Sequence, residues 1–313
     1  MIRNLFGNVT VFNKLFTLQE NNVFNIESAP LVSEEVKDLS EFLISNYKGK
    51  NSEVVLVKAF SFQPNINGFE VIVKERKAEI EAGILKIKEL TGAKEVKFLV
   101  SKADKNLDAS LSQLGQVVKV NPLDEFYEDR LVQKALGGGK NALIEDLSKV
   151  VYLGQTIKED NLQLYIPVYG SAVKGNKVIS VNEGTSLEVI FNALDGDKAK
   201  LRKIVVGGSL NGELKYDLSE KVDINTKSIL FLTDKDSPSE NSTSCIRCSK
   251  CLRACPEGLN PIKLMDLWKR KEKDEFLKFG GEKCIECGMC SYVCPSNLEL
   301  TQSIKTAKKY IGK

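Results

Sequence analysis

Eight cysteines constrain this chain more than any other feature, and all of them lie beyond residue 244. They form two runs of identical spacing: Cys245-Ile-Arg-Cys248-Ser-Lys-Cys251-Leu-Arg-Ala-Cys255-Pro256 and Cys284-Ile-Glu-Cys287-Gly-Met-Cys290-Ser-Tyr-Val-Cys294-Pro295. Each reads C-x2-C-x2-C-x3-C-P. Three thiolates at intervals of three residues can wrap a tight loop around one face of a compact inorganic cluster. The fourth, beyond a longer gap, points the other way, and the proline after it stops the chain from folding back. No cysteine is left over for another role.

The spacing is similar to that of bacterial ferredoxins, in which the fourth cysteine of each run ligates the other run's cluster. On that pattern one [4Fe–4S] cluster takes Cys245, Cys248, Cys251 and Cys294, and a second takes Cys284, Cys287, Cys290 and Cys255. Zinc also accepts four thiolates. Its sites usually pair two short C-x2-C knuckles, however, and the third equally spaced cysteine with the C-P ending is unusual for them. A disulfide framework suits a short secreted chain, not one of 313 residues without a secretion signal.

The length allows two or three domains, and 42% hydrophobic residues allow a sizeable core. A net charge of +3 is too near neutral to argue for nucleic acid. No apolar stretch approaches the roughly 18 residues of a membrane span, and the start, Met1-Ile-Arg-Asn-Leu-Phe-Gly-Asn-Val-Thr, has no continuous apolar region. Thiols kept as ligands require a reducing compartment. A cytoplasmic location follows as the expectation, with any membrane contact peripheral and made through partners. The chain contains no histidine, which removes histidine triads, Rieske centres and most catalytic zinc sites. That favours an electron carrier over a hydrolase.

Along the chain, Val9-Thr-Val-Phe-Asn could form a short strand. Ser33 caps a helix running to Tyr47 and closing near Gly49. Strands are expected at Glu53-Val-Val-Leu-Val-Lys-Ala-Phe, Glu95-Val-Lys-Phe-Leu-Val and Gln116-Val-Val-Lys-Val. Helices are expected over 71–90, 107–114 and 124–136. Strands alternating with helices predict a parallel sheet. Gly137-Gly-Gly-Lys140 lacks the Walker spacing, with Lys134 and Asn141 in the decisive places, and reads as a loop. Beyond Val150 come short strands: Leu162-Gln-Leu-Tyr-Ile-Pro-Val, Lys177-Val-Ile-Ser-Val, Lys203-Ile-Val-Val and Ser228-Ile-Leu-Phe-Leu. A helix opens among them at Thr185, which makes a β-grasp-like unit. Gly207-Gly208 reads as a tight turn. Residues 234–244 form a polar linker. Helices are expected over 261–278, with a basic face at Lys263, Lys269, Arg270, Lys271 and Lys273, and over 300–310.

The run Cys284-Ile-Glu-Cys-Gly-Met-Cys-Ser-Tyr-Val-Cys-Pro-Ser-Asn, with Lys203-Ile-Val-Val-Gly-Gly-Ser-Leu-Asn-Gly212 upstream, resembles the RnfC family of the Rnf electron-transport complex. The resemblance covers roughly residues 50–313. It implies an α/β and α+β multidomain chain: an N-terminal segment (1–50), a Rossmann-like α/β domain like the family's flavin and NADH module (51–148), a soluble-ligand-binding β-grasp (SLBB-like) domain (150–235) and a dicluster ferredoxin domain (243–313). The family's flavin loop, of the form G-R-G-G-A-G-F-P, is absent. Its acidic N-x-x-E-x-E-P stretch is replaced by Lys58-Ala-Phe-Ser-Phe-Gln63-Pro64. A phosphate nest needs glycines and a ribose generally needs a carboxylate, so these residues argue against FMN and NADH.

The reading is a carrier passing single electrons through two [4Fe–4S] clusters between a redox donor and an acceptor. Those partners would be a ferredoxin or flavoprotein, Rnf subunits, or an amino-acid reductase of the proline type. The alternatives are an NADH-oxidising subunit of an ion-translocating Rnf-type complex, and a binding module whose clusters are only structural. Arg247, Lys250 and Arg253 lie among the ligands of one run, and Glu257, Glu282 and Glu286 lie near the other. That asymmetry predicts a higher potential for the first cluster, and the basic helix face suits an acidic carrier.

Overall fold

A computed structural model describes residues 18–28, 33–102, 104, 106–138, 141–157, 162–236 and 242–311, without the side chains of 33–37. The strand expected at 9–13 lies outside these residues. The chain divides into two compact units. One holds Phe16–Gly208 and Glu213–Asp236, and the other holds Ser209–Gly212 and Ser237–Lys313.

The first unit contains two sheets. The run Val54–Lys58 (β2) is apolar and β-branched, and it sits mid-sheet because both of its faces are buried. It pairs in parallel with Glu95–Ser101 (β3) and with Ala142–Asp146 (β5), while Gln116–Val120 (β4) closes the other edge, giving the order β4-β3-β2-β5. Helices Ser33–Ser45 (α1), Phe69–Glu75 (α2), Lys77–Thr91 (α3), Asn106–Leu111 (α4), Glu128–Leu136 (α5) and Leu147–Thr156 (α6) complete the α/β layer.

Three features depart from the sequence reading. The helix expected over 71–90 breaks at Arg76, because Val71, Ile72 and Val73 are all buried and three successive residues cannot share one helix face. The helix expected from Asp124 begins as a 3-10 turn, Pro122–Phe126, capped by Asn121 and Asp124, and the α-helix starts only at Glu128. Strand β5 and helix α6 went unpredicted. Ala142-Leu-Ile-Glu-Asp is too short and half polar to read as a strand by itself; its pairing with β2 makes it one. Helix α6 lies on α3 at two glycines. A Cβ on Gly83 would stand 2.0 Å from the Val150 carbonyl oxygen, and one on Gly154 1.9 Å from that of Glu79.

The second sheet is mixed. Gln163–Tyr169 (β6) and Lys177–Asn182 (β7) form an antiparallel pair. The helix Leu187–Ala193 (α7), capped by Ser186, precedes Lys203–Val206 (β8) and Glu213–Lys215 (β9). The last strand, Ile229–Leu232 (β10), inserts between β6 and β8, parallel to the first and antiparallel to the second. Val23–Asn25 (β1) adds to β7 at the edge. The order is β1-β7-β6-β10-β8-β9. One apolar core runs through both sheets, from Val55 and Phe98 to Val168, Ile179 and Phe231.

The second unit is built of short helices: Lys250–Ala254 (α8), Pro261–Lys269 (α9), Lys273–Lys278 (α10), Met289–Tyr292 (α11) and Leu300–Ile311 (α12). The helix expected over 261–278 is therefore two, broken where Lys271 takes φ 59°. Leu264, Leu267, Phe276, Ile304 and Ala307 form its core. No helix among the described residues is long and apolar enough to cross a membrane.

Candidate metal centre

The two cysteine runs fold into loops of the same backbone form. Arg247 and Ser249 in the first take φ 57°, and Glu286 and Gly288 at the matching places in the second take φ 55° and 84°. Left-handed residues alternating with right-handed ones turn successive backbone N–H groups inward, a concavity that suits anions and iron–sulfur centres. Accordingly the Arg247 N–H donates to Cys245 Sγ at 3.4 Å. The Glu286 and Met289 N–H groups bond the sulfurs of Cys284 and Cys287 two residues earlier. Three non-glycine residues in this strained region mark the loops as shaped for a ligand rather than for stability.

The third and fourth cysteines then separate. Helices α8 and α11 open just before the third cysteine and carry the chain away, so that the fourth reaches the other loop. One cavity is lined by Cys284, Cys287, Cys290 and Cys255, and the other by Cys245, Cys248, Cys251 and Cys294. Charge on Cys255 bears on Cys284 and Cys287, and charge on Cys294 bears on Cys251, which gives the same grouping. The Ser296 hydroxyl donates to the Ser244 carbonyl at 3.0 Å, fastening the end of the second run to the start of the first.

The cavities differ in exposure. Cys287 and Cys290 are buried, whereas Cys245 is exposed. Burial pushes the thiols of Cys251, Cys284 and Cys287 above their ordinary value and that of Cys290 up to about 11, the last despite the Thr301 hydroxyl 3.2 Å from its sulfur. Four neighbouring thiolates become favourable only with cationic iron among them. Among the described residues, no three Cys, Asp or Glu side chains converge as they would on a single ion. All-sulfur donor sets arranged around cavities, lined by inward N–H groups, fit cubane clusters.

Helix α12 supplies residues that the sequence reading passed over. Thr301 faces Cys290, Ile304 lines the same cavity, and Lys308 Nζ donates to the Cys284 carbonyl at 2.6 Å and pairs with Glu286 at 3.0 Å. Their spacing of three and four residues is one helical face, which was a signal available in the sequence. Glu286 is thus neutralised, and its charge does not stand alone beside the inner loop.

A separate cavity opens at the carboxyl ends of β2 and β3, lined by Ser61, Gln63, Asn67, Ser101, Asp104 and Asn106 among others. The Glu125 carboxylate accepts from the Phe62 N–H at 2.6 Å and the Ser61 hydroxyl at 2.9 Å, and Asp104 accepts from the Leu107 N–H at 3.1 Å. The chain's own carboxylates therefore take up these donors.

Residues 244–298 match the 4Fe-4S dicluster domain family. The RnfC-type component of the proton-translocating ferredoxin:NAD(+) oxidoreductase complex of Clostridium ljungdahlii is 35% identical over 103 residues, 33% of this chain and 22% of that protein. Its counterpart in the ion-translocating oxidoreductase complex of Methanosarcina acetivorans is 30% identical over 135 residues, 43% of this chain and 29% of that protein. The Rhodobacter capsulatus counterpart is 28% identical over 273 residues, 81% of this chain and 53% of that protein. The matched segments thus span about half or less of these relatives' lengths. The fold resembles a chain of the NAD+-reducing [NiFe]-hydrogenase, with TM-scores of 0.53 in the H2-reduced state and 0.51 in the air-oxidized state. Identity is 10% and 11%, over 88% and 89% of this chain and 57% and 61% of that one. At such identity the likeness is one of fold.

Proposed function

Starting from an RnfC-like chain with a 4Fe-4S dicluster domain, we propose that its two clusters relay single electrons between two partner proteins, with no flavin or nicotinamide step within the chain. Iron–sulfur electron transfer is the chemistry of the dicluster domain. Each cluster, when bound, takes up and returns one electron. This chain's residues hold the clusters, set their polarity and govern access to them. Cys245, Cys248, Cys251 and Cys294 ligate the outer cluster, and Cys284, Cys287, Cys290 and Cys255 the inner one.

The observation that carries this reading is the sorting of eight thiols, three and one, into two cavities. Anaerobic purification with iron and sulfide analysis tests it: about eight irons per chain are expected for two [4Fe–4S] clusters, with two reducible EPR signals. Cys255→Ala should abolish the inner signal and Cys294→Ala the outer. Loss of the cluster in the same run instead would overturn the cross-ligation, and absence of any reducible signal would overturn the relay.

The first unit serves as scaffold. Its parallel sheet supports a Rossmann-like reading. The order β7-β6-β10-β8-β9 with α7 between the two pairs supports a β-grasp reading for the second sheet. A second function, NADH oxidation through a bound flavin, is favoured by the cavity at the carboxyl ends of β2 and β3, where parallel α/β sheets take ligands. Against it stand Glu125 and Asp104, which use the donors a phosphate would need. Incubation with FMN and then NADH separates the two: cluster bleaching by NADH would establish the second. The partners would be a redox donor and acceptor, Rnf-type subunits or a reductase, met on the cytoplasmic side, peripherally if at a membrane.

A further inference from the structure

The two cysteine loops share a backbone form and differ in what covers them. The inner loop is closed: Gly288 lies against the Leu210 carbonyl, Glu286 is paired with Lys308, and Ile285, at the place equivalent to Ile246, is half-buried in the cavity wall. The outer loop is bare. Ile246 is 66% exposed, Leu252 is exposed beside it, and the ligand Cys245 itself is exposed. Around them stand Arg247, Lys250 and Arg253, and none has a carboxylate within ion-pair distance among the described residues. Lys263, lining the same cavity, lies over the Phe279 ring.

We propose that this face is the docking site of an acidic one-electron carrier protein, which exchanges electrons with the outer cluster while the inner cluster communicates with the other partner. The proposal rests on the relay reading above. An apolar centre at Ile246 and Leu252 with a rim of cations has the anatomy of a transient protein interface. Unpaired cations steer an oppositely charged protein and set its rate of encounter. The redox centre lies directly behind the apolar centre, so a partner seated there has the shortest path to it. A membrane or nucleic acid would find the same charges but would have no use for the exposed ligand.

The test measures electron exchange between the complete, cluster-loaded protein and a purified acidic ferredoxin by stopped flow, with reduced methyl viologen as a small cationic comparator. The wild-type rate with ferredoxin should fall about tenfold or more between about 0.05 and 0.5 M salt. Lys250→Glu should slow it about fivefold or more and flatten its salt dependence. Ile246→Ser should weaken saturation while leaving the salt slope intact. Viologen rates, iron content and EPR signals should stay as in the wild type. If viologen reduces the clusters but the ferredoxin rate ignores salt and both variants, the docking assignment falls and the relay stands. If neither reductant reaches the clusters, the relay falls and takes the docking with it. Slowing of viologen equally with ferredoxin would also overturn the docking, since it would mean damage to the cluster. So would Lys250→Glu abolishing binding to anionic vesicles while leaving carrier exchange untouched.

Discussion

The Thr301 hydroxyl lies 3.2 Å from Cys290 Sγ, and it also accepts a hydrogen bond from the Ser291 hydroxyl at 3.0 Å. Its own proton is therefore free for the sulfur, which as a cluster ligand can only accept. Such a bond strengthens as the cluster gains an electron and so raises the potential. Thr301→Val should lower the inner cluster's potential by about 40 mV, the one-electron equivalent of a hydrogen bond worth about 1 kcal/mol. Thr301→Ser should restore it. An EPR-monitored redox titration checks both; an unchanged potential in the valine variant would refute the assignment.

Lys308 and Glu286 act as a unit beside Cys284. Lys308→Met leaves a half-buried carboxylate uncompensated and should lower the inner potential, while Glu286→Gln should raise it. The double variant should return close to the wild type. Additive shifts would show that the pair is not coupled.

Gly288 combines φ 84° with a Leu210 carbonyl oxygen 2.2 Å from where a Cβ would stand. The obstruction is backbone and cannot rotate away. Gly288→Ala should cost about 3 kcal/mol or more and lose the inner cluster first, read as loss of one EPR signal and about half the iron. Ser249, at the equivalent place in the outer loop, already carries a side chain, so Ser249→Ala should leave both clusters in place.

In the first unit Asp146 bonds Lys58 at 3.0 Å and Lys227 at 3.2 Å, tying β5 to β2 and to the start of β10. Burial would raise the Asp146 carboxyl, but Lys227 and Lys58 outweigh it and hold the group below its ordinary value. A depressed carboxyl contributes stability above its unfolded value, near 4, which is lost as pH falls through the folded one. The adjacent Glu145 is raised by burial and contributes in the opposite sense. Asp146→Asn should destabilise the unit by about 3 kcal/mol at neutral pH and flatten the acid side of its stability profile, measured by denaturant unfolding between about pH 3 and 7. An unchanged acid limb would refute the role of the pair.

Legibility in the sequence followed the range of the interactions. β2, β3 and β4 could be read because buried strands announce themselves by local apolar runs. β5 could not, because its strand state depends on a partner far away in the chain, with Ala142 beside Val54. The break at Arg76 follows from burial of three successive residues, which no single helical period encodes.

The cysteine spacing by itself determined that the C-terminal region is built for two four-iron clusters. Ligand number and interval are local properties of the chain, and a cubane demands them. Only the tertiary structure decided that the clusters are unequal. Near-identical loops differ because one is covered by Leu210 and by the Thr301 and Lys308 face of α12, while the other is left to solvent with its cations unpaired. Charge counted along the sequence set Glu286 against Arg247; charge counted in space cancels the first with Lys308 and leaves the second without a carboxylate partner. Electrostatic effect depends on distance and burial rather than on order in the chain.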